Sequence, residues 1–485
     1  MKKTRKMSGL GRRLISAALC SVLCFTTVDA LAEAPAGKWY TDFGSYEAEK
    51  KSAGELTERI MEEGAVLLKN DGILPLAKSI KNVTLFGARS FDPVTGGTGS
   101  GGGGGVYTTL PDSMEAAGFK INDKVKTMYE NNRIEAATYT VGYKAQTVES
   151  PAKILNSTVG SYELYGDMAI ITIARTGGEG DDLYTQNIAT HKDKTEHYLQ
   201  LDDNEKDMIA HVKEHFDKVV VLLNIANPME ISDLVEDPAI NAILWIGQPG
   251  LTGLKAVPKI LKGEVNPSGR LVDIFPRDFS TDPTWQNFGT LYQHNEIDPE
   301  TGEFKTTEYD TRVRYMKDGE VAEVDLGSPM FSAESIEYEE GIYMGYKYYE
   351  TADAEAKAGN FEGFDYDKEV VYPFGYGLSY TSFSQEFVTT AEEWASAVNA
   401  ASKLDDKVQV QVKVTNTGDK AGKEVVQLYI HAPYTKGGIE KAEVALAGFG
   451  KTGILEPGES EVVTVDVRLG DIASFDYNDA NQNGY

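Results

Sequence analysis

Four short apolar runs constrain the fold of this chain more than any other feature. None contains a charged side chain, and they occupy residues 83–87, 168–174, 219–223 and 242–246. Such uninterrupted runs are typical of strands in a parallel sheet that is covered on both faces. Stretches with helical spacing lie between the second and third runs, at 204–216, and after the fourth, at 251–261. We therefore expect an open α/β sheet, whose ligands bind at loops beyond the carboxyl ends of its strands.

An apolar pattern before these strands has roughly helical spacing. We expect one helix there, ended by Asn70-Asp71-Gly72, with an apolar side formed by Leu56, Ile60, Met61, Ala65, Leu67 and Leu68. Residues 281–367 are rich in Tyr, Glu, Asp and Gly, which indicates long loops with a few short strands.

The last hundred residues follow a different pattern. Apolar and polar side chains alternate along 407–414, 424–430 and 461–467. The segments 416–419 (NTGD) and 456–459 (EPGE) are turn signals. The pattern predicts a small antiparallel β-sandwich. The predicted strands before Tyr485 are too few to close it, so we expect this domain to be incomplete.

The first 32 residues are interpreted as a secretory signal peptide. A basic start is followed by a mostly apolar stretch at 14–28 and by Ala30-Leu31-Ala32, an A-x-A cleavage pattern. The alternative is a retained N-terminal anchor, although the apolar run is short for a span of about 20 residues. We expect a secreted or cell-surface protein with no membrane contact after cleavage.

Charge and cysteine content narrow the class of function. The 485 residues carry 47 basic and 75 acidic side chains, a net charge of -28. Binding to nucleic acid or to an anionic membrane requires a basic face, so we expect neither partner for this acidic chain. Both cysteines, Cys20 and Cys24, lie in the leading segment, which leaves no thiolate chemistry for the mature chain. Neutral ligands such as sugars remain open, and no cofactor or metal ion is expected.

The segment 96–105 contains eight glycines after the first strand of the sheet. It formally fits a dinucleotide fingerprint, but any glycine run does, and it begins about ten residues after the strand instead of in its first turn. We interpret it as a loop that approaches a ligand or another part of the backbone.

A second glycine-containing loop, 177–182 (GGEGDD), follows the apolar run at 168–174 directly. Glycines on both sides leave the Glu179 carboxyl group reachable, as a general acid requires. A solvated acidic turn is the alternative, and the residues alone leave it open.

Other motifs are weaker. Residues 479–484 match the start of a calcium loop, but we interpret them as an Asn/Asp-rich turn. His211 and His215 lie four apart on a predicted helix and are interpreted as a solvated face. Aromatic side chains suited to stacking on sugars or to ordinary packing are Trp285, Tyr343, Tyr346, Tyr348 and Tyr349.

Several segments together resemble glycoside hydrolase family 3, the β-glucosidase group. They are EGAVLLKNDGILPL at 63–76, VTLFG at 83–87 with the glycine loop, GEGD at 178–181, IGQPG at 246–250, GEVNPSGRL at 263–271, YPFGYGLSY at 372–380, VTNTG at 414–418 and EVVQLY at 424–429. The resemblance spans roughly residues 50–475. It implies domains at 33–380 (the α/β-sandwich domain) and 381–485 (a truncated fibronectin type III-like domain).

The resemblance also implies a site. Glu179 corresponds to the catalytic acid/base, and Gly99, Ser100, Gly101 and Asp181 are expected to contact the substrate, a β-linked glucoside or related oligosaccharide. In the family, a barrel domain supplies the nucleophilic Asp in a Ser-Asp context. No such barrel lies ahead of Glu63, and some members place it last, so we expect a fragment of a reversed-order member, inactive alone. The alternatives are a carbohydrate-binding accessory module and a subunit that completes its site with a separate barrel chain.

Overall fold

The computed structural model describes residues 42–97, 105–132, 149–177, 192–193, 195–285, 312–317, 320–325 and 340–476. The helices are α1 (Tyr46–Gly64), α2 (Leu110–Ala116), α3 (Asp123–Asn131), α4 (Asp203–His215), α5 (Ser232–Glu236), α6 (Ala256–Lys262), α7 (Tyr346–Lys357), α8 (Tyr366–Glu369), α9 (Ala391–Ala400) and α10 (Leu469–Ile472). Over the described ranges, no helix is both long enough and apolar enough to cross a bilayer.

The strands of the α/β region are β1 (Val66–Asn70), β2 (Asn82–Phe86), β3 (Lys120–Ile121), β4 (Met168–Ala174), β5 (Val219–Asn224), β6 (Ala242–Trp245) and β7 (Phe275–Pro276). Those that follow are β8 (Arg312–Lys317), β9 (Glu320–Asp325), β10 (Val370–Tyr372), β11 (Phe383–Phe387), β12 (Lys407–Asn416), β13 (Val425–Ile430), β14 (Ala445–Lys451) and β15 (Ser460–Arg468).

A six-stranded sheet in the order β1-β6-β5-β4-β2-β3 confirms the predicted α/β fold. Strands β2 to β6 are parallel to their neighbours, while the edge strand β1 runs antiparallel to β6. Successive residues of β5 enter different hydrophobic clusters: Val221 belongs to one and Leu222 to the other. Both faces of the sheet are therefore covered, which explains why its strands contain so few polar residues.

The expectation of one helix through Leu68 is wrong. Helix α1 ends at Gly64, and Val66–Asn70 forms strand β1. Leu67 and Leu68 are both buried, one in each of the two clusters, which is possible for neighbours on a strand because successive side chains point to opposite faces. The segment after Leu251 also begins differently, with a 3₁₀ turn at Gly253–Lys255 before α6.

The C-terminal region contains the predicted antiparallel sheets. Strands β11, β12 and β15 form one sheet, and β13 pairs with β14. Along β12 the buried residues alternate with exposed ones, and the inward valines join a separate hydrophobic cluster with β13 and β14. Between the two regions, β8 and β9 form a hairpin, consistent with the short strands expected there. Helix α7 lies in the same segment and was not predicted.

Polar contacts join the α/β region to the β-sandwich. The Arg270 guanidinium lies 2.7 Å from the Glu424 carboxylate, and both side chains are largely buried. Asn266 accepts a hydrogen bond from the Tyr380 backbone N–H at 2.8 Å and donates one to the Ala421 carbonyl at 3.0 Å. The segment 372–380 therefore lies at this junction, where the Tyr380 hydroxyl also donates to the carbonyl of Ile260.

Candidate functional site

The order of the strands points to one edge of the sheet as the site. Strand β3 lies on one side of β2 and β4 on the other, so the direction of winding reverses between β2 and β4. In open α/β sheets, ligands bind beyond the carboxyl ends of the strands at such a switch point. The glycine-rich loop and the loop containing Glu179 follow β2 and β4 respectively. Both loops thus begin at the switch point.

The described flanks of the glycine-rich loop are fixed to this edge. Asn224, at the end of β5 and fully buried, accepts from the Val94 N–H at 2.8 Å and donates to the Val94 carbonyl at 2.9 Å. The Gly250 N–H donates to Thr95 O at 2.9 Å, and on the far side Thr108 N–H donates to Leu251 O at 2.8 Å. The loop therefore starts and ends beside the turn that follows β6.

The end of β2 requires a glycine. Gly87 has a φ of 89°, and a Cβ atom there would lie 2.4 Å from the carbonyl oxygen of Thr172 on β4. Any side chain would push β2 and β4 apart, because non-bonded atoms do not approach so closely. Beside it, the hydroxyls of Ser90 and Thr172 are hydrogen-bonded at 2.7 Å. Close backbone contact thus fixes the spacing of β2 and β4 where the two loops begin.

The end of β4 is held by a buried guanidinium group. Arg175 makes two contacts with the Glu205 carboxylate, at 2.7 and 2.8 Å, and both side chains are almost completely buried. It also donates to the carbonyls of Tyr198 at 2.6 Å and Gln200 at 2.5 Å. Because Arg175 precedes the Glu179 loop and Tyr198 and Gln200 follow it, one side chain joins the two ends of that segment. Such two-pronged pairs are geometrically specific.

A second buried carboxyl group lies under the end of β2. Glu149 accepts from the N–H groups of Ala88 at 2.7 Å and Ser150 at 2.9 Å. Burial raises the pKa of Glu149 to about 8, and the charges of Glu205 and Asp202 add to the rise against the effect of these two hydrogen bonds. Burial and the charge of Glu205 likewise raise the pKa of Asp202 to about 7. Near neutral pH, Glu149 is therefore mostly a neutral acid.

Two family models match the chain, one over the α/β region and one over the β-sandwich. The glycosyl hydrolase family 3 C-terminal domain matches residues 65–346, and the fibronectin type III-like domain matches 424–482. The first model covers more than half of the chain and begins where β1 begins. The chain belongs to glycosyl hydrolase family 3.

Curated relatives of this family 3 chain are β-glucosidases. Beta-glucosidase A of Butyrivibrio fibrisolvens is 33% identical over 440 residues, which is 85% of this chain and 45% of that protein. The beta-glucosidase of Ruminococcus albus is 33% identical over 426 residues, 87% of this chain and 36% of that protein. The chain thus spans less than half the length of these relatives.

Solved structures agree with this assignment. A β-glucosidase of Paenibacillus barengoltzii matches with a TM-score of 0.63 at 30% identity, over 87% of this chain and 39% of that one. Beta-glucosidase 3B of Thermotoga neapolitana, solved in complex with glycerol, matches with a TM-score of 0.62 at 30% identity, over 90% of this chain and 51% of that one. The fold seen in family 3 enzymes therefore extends through both regions of this chain.

The predicted site residues of the family 3 chain, Glu179, Gly99, Ser100, Gly101 and Asp181, all lie outside the described residues. Their assignments stay predictions, as do the domain boundaries and the calcium-like segment at 479–484. The matched ranges 65–346 and 424–482 fall within the predicted domains 33–380 and 381–485. Over the described ranges, no group of three or more His, Cys, Asp or Glu side chains is arranged to hold a metal ion.

Four supporting residues were not predicted: Glu149, Arg175, Glu205 and Asn224. Two sequence signals were available. Arg175 and Asn224 are the first polar residues at the carboxyl ends of two long apolar runs, and Asp202 with Glu205 forms a capping box at the start of α4. Neither signal identifies the residues that Arg175 and Asn224 contact, because those residues come from other parts of the chain.

The aromatic and histidine candidates divide between packing and a cavity. Tyr349 is fully buried, and Tyr346 stacks near Phe374 with ring centres 4.5 Å apart. His211 is half-buried against Tyr162 and shares a hydrogen bond with its hydroxyl at 3.1 Å, whereas His215 is exposed, as expected. By contrast, Trp285 lines a cavity in the surface of the α/β region.

Proposed function

We propose that this chain supplies the acid/base domain of a retaining β-glucosidase, an enzyme that hydrolyses O-glycosyl bonds in β-glucosides or related oligosaccharides. The observation that carries the proposal is the switch point between β2 and β4. In a family 3 chain, the glycine-rich loop and the Glu179 loop begin side by side at the edge where ligands bind.

The proposed chemistry divides the work between two carboxyl groups. In retaining hydrolysis, one attacks the anomeric carbon and the other protonates the leaving oxygen, with the two carboxyl groups about 5–5.5 Å apart. Glu179 is the proton donor in this proposal. After the leaving group departs, the same side chain removes a proton from the water that releases the sugar. Gly99, Ser100, Gly101 and Asp181 would contact the substrate beside it.

The attacking carboxylate would come from a barrel domain outside these 485 residues. The partners proposed for this chain are therefore a β-linked glycoside and such a barrel, either in the same polypeptide or as a separate subunit. The ion pair of Arg175 with Glu205 supports this role, since it ties together the two ends of the segment that carries Glu179.

The test is an activity assay with and without the barrel. Residues 33–485 alone are expected to hydrolyse an aryl β-glucoside negligibly, because removing a nucleophile costs several orders of magnitude in rate. Addition of a barrel-containing polypeptide should restore turnover. In that active form, Glu179→Gln should lower kcat by about 10²–10⁴ for substrates with poor leaving groups, and by less for phenols that leave without protonation.

The matched control is Glu196→Gln. Glu196 follows the same segment but pairs with Lys206 at 2.7 Å on the surface, so its loss should leave kcat near the parent value. Ordinary turnover by residues 33–485 alone would refute the need for a barrel. An unchanged leaving-group dependence in Glu179→Gln would refute its role as the acid.

We also propose that the protein is secreted. Residues 1–32 lie outside the described residues, and the proposal depends on their basic, apolar and A-x-A pattern. N-terminal sequencing of the exported protein should find a chain that begins near Glu33. A retained Met1 at the membrane would favour the anchor.

A further inference from the structure

A cavity of about 270 Å³ lies in the surface of the α/β region. Its wall includes Asn227 and Pro228, which follow β5, and Leu199, which follows the Glu179 segment. Pockets for drug-sized ligands measure roughly 300–1,000 Å³. This volume therefore suits one small ring rather than an extended ligand.

The apolar part of the wall is aromatic and held in place. Trp285 and Phe279 both line the cavity, and both rings pack edge-on against the His197 ring, at 5.1 and 5.8 Å. His197 is hydrogen-bonded to the Glu230 carboxylate at 2.8 Å, and the same oxygen accepts from the Phe279 N–H at 2.8 Å. The two aromatic side chains are thus positioned before any ligand arrives, which reduces the entropy lost on binding.

The polar part of the wall consists largely of hydrogen-bond acceptors. Two carboxylates, Asp273 and Asp282, line the cavity, and its described lining contains no Lys, Arg or His. Asp273 accepts from the Ile274 N–H through one oxygen, and its other oxygen has no recorded hydrogen bond with a described residue. The Asn227 amide donates to the Pro228 carbonyl at 2.8 Å. A ligand that satisfies this wall must therefore bring donors and carry no negative charge.

Two electrostatic features agree with that requirement. Partial desolvation and the charge of Asp282 raise the pKa of Asp273, so a donor that approaches these carboxylates relieves a repulsion. Burial and, after it, the charge of Asp282 also raise the pKa of the Tyr349 hydroxyl. A ligand hydroxyl that donates to Asp273 would therefore meet a partly desolvated acceptor.

We propose that this cavity is a binding site for a single neutral sugar ring. A hexopyranose has an apolar C–H face that packs on an aromatic ring and several hydroxyl donors at its rim. Trp285 and Phe279 would meet the face, while Asp273 and Asp282 would accept hydrogen bonds from the hydroxyls. The proposal goes beyond glycoside hydrolysis, because binding here needs neither Glu179 nor a barrel domain.

The test is a titration of the 485-residue chain with D-glucose, followed by ligand-observed NMR. Saturable binding is expected with a Kd of about 1 mM, as few contacts are available to one ring. Trp285→Ala should weaken binding by at least about tenfold and Asp273→Asn by about fivefold. Asp273 is solvent-accessible, so its variant should retain the parent melting temperature and remain informative if Trp285→Ala does not fold.

Two control variants locate the binding. Trp394→Phe, in the β-sandwich, and Glu179→Gln should both keep the parent affinity. Loss of binding in Glu179→Gln with none in Trp285→Ala would place the sugar at the catalytic loop and overturn the proposal. No saturation at about 100 mM glucose, far above the expected Kd, would also overturn it. So would a response to CaCl2 alone that Asp273→Asn abolishes, since that identifies a cation site in this cavity.

Discussion

The α/β sheet and the β-sandwich differ in how many faces of their strands are buried. In β4 and β5 every residue is buried, whereas in β12 buried and exposed residues alternate along most of the strand. The first sheet lies between two hydrophobic clusters and the second covers one. The comparison teaches that a polar residue of the α/β sheet must be buried and hydrogen-bonded, as Thr172 and Asn224 are, while the β-sandwich strands have a face exposed to solvent.

Two ion pairs, one in each region, differ in burial in the same way. The buried pair in the α/β region is Arg175–Glu205, with side chains 2% and 6% exposed. On the β-sandwich, the pair Lys407–Asp466 is 59% and 45% exposed. Water screens the second pair but not the first. The stability of the protein should therefore depend strongly on the first pair and little on the second.

Breaking the Arg175–Glu205 pair should cause the largest loss of folding stability. Glu205→Ala leaves the Arg175 guanidinium in the interior without its carboxylate, which should lower the free energy of unfolding by about 3–5 kcal/mol. Glu205→Gln keeps most of the volume and isolates the lost charge. Urea denaturation of both variants measures the effect.

The matched control for this prediction is Asp466→Ala on the β-sandwich. Removal of an exposed partner should cost far less stability than removal of the buried Glu205 carboxylate. Equal losses for Glu205→Ala and Asp466→Ala would show that burial does not distinguish the two regions.

The apolar strands were predictable because their burial on both faces appears directly in the residue types. Residues 168–174 and 219–223 were predicted as strands and lie in β4 and β5. Strand β1 was missed because Leu67 and Leu68, after a real helix, continue a roughly helical spacing. Over so few residues, that spacing cannot separate a helix from a strand buried on both sides.

The supporting residues of the site could not be predicted because their roles depend on distant partners. Asn224 contacts Val94 across 130 residues of sequence, and Arg175 contacts Glu205 across 30. Sequence reasoning could place both loops at the carboxyl edge, since strand order and loop position follow from general rules. It could not show which buried groups hold the flanks of those loops.

The next largest losses of folding stability are expected when buried apolar side chains are truncated to alanine. Leu222 and Leu223 on β5 are both fully buried, one in each cluster. Leu222→Ala and Leu223→Ala should each cost about 2–5 kcal/mol. On β12, Val412→Ala should cost about 2 kcal/mol, but the exposed neighbour Gln411→Ala should stay within about 0.5 kcal/mol. Urea denaturation would contradict the comparison if Gln411→Ala matched Val412→Ala, or if one of the two leucine variants were neutral.

The last expected effect is a pH dependence that originates in the α/β region. Burial raises the pKa of Glu149 from 4.5 to about 8, so between these values the folded protein holds a proton that the unfolded chain has released. The free energy of unfolding should therefore fall as pH rises through this window, by up to about 1.4 kcal/mol per pH unit. Asp202, whose pKa is raised to about 7, adds to the same slope.

Glu149→Gln keeps a neutral side chain at every pH, so its stability should fall less between pH 6 and pH 7.5 than that of the parent. The exposed β11 residue Glu386 provides the control: Glu386→Gln should reproduce the parent slope. Urea denaturation at the two pH values measures both variants. If Glu149→Gln kept the full parent slope, the carboxyl group under β2 would be ionised in the folded protein. The buried edge of the α/β sheet would then tolerate an unpaired charge, contrary to the difference between the two regions.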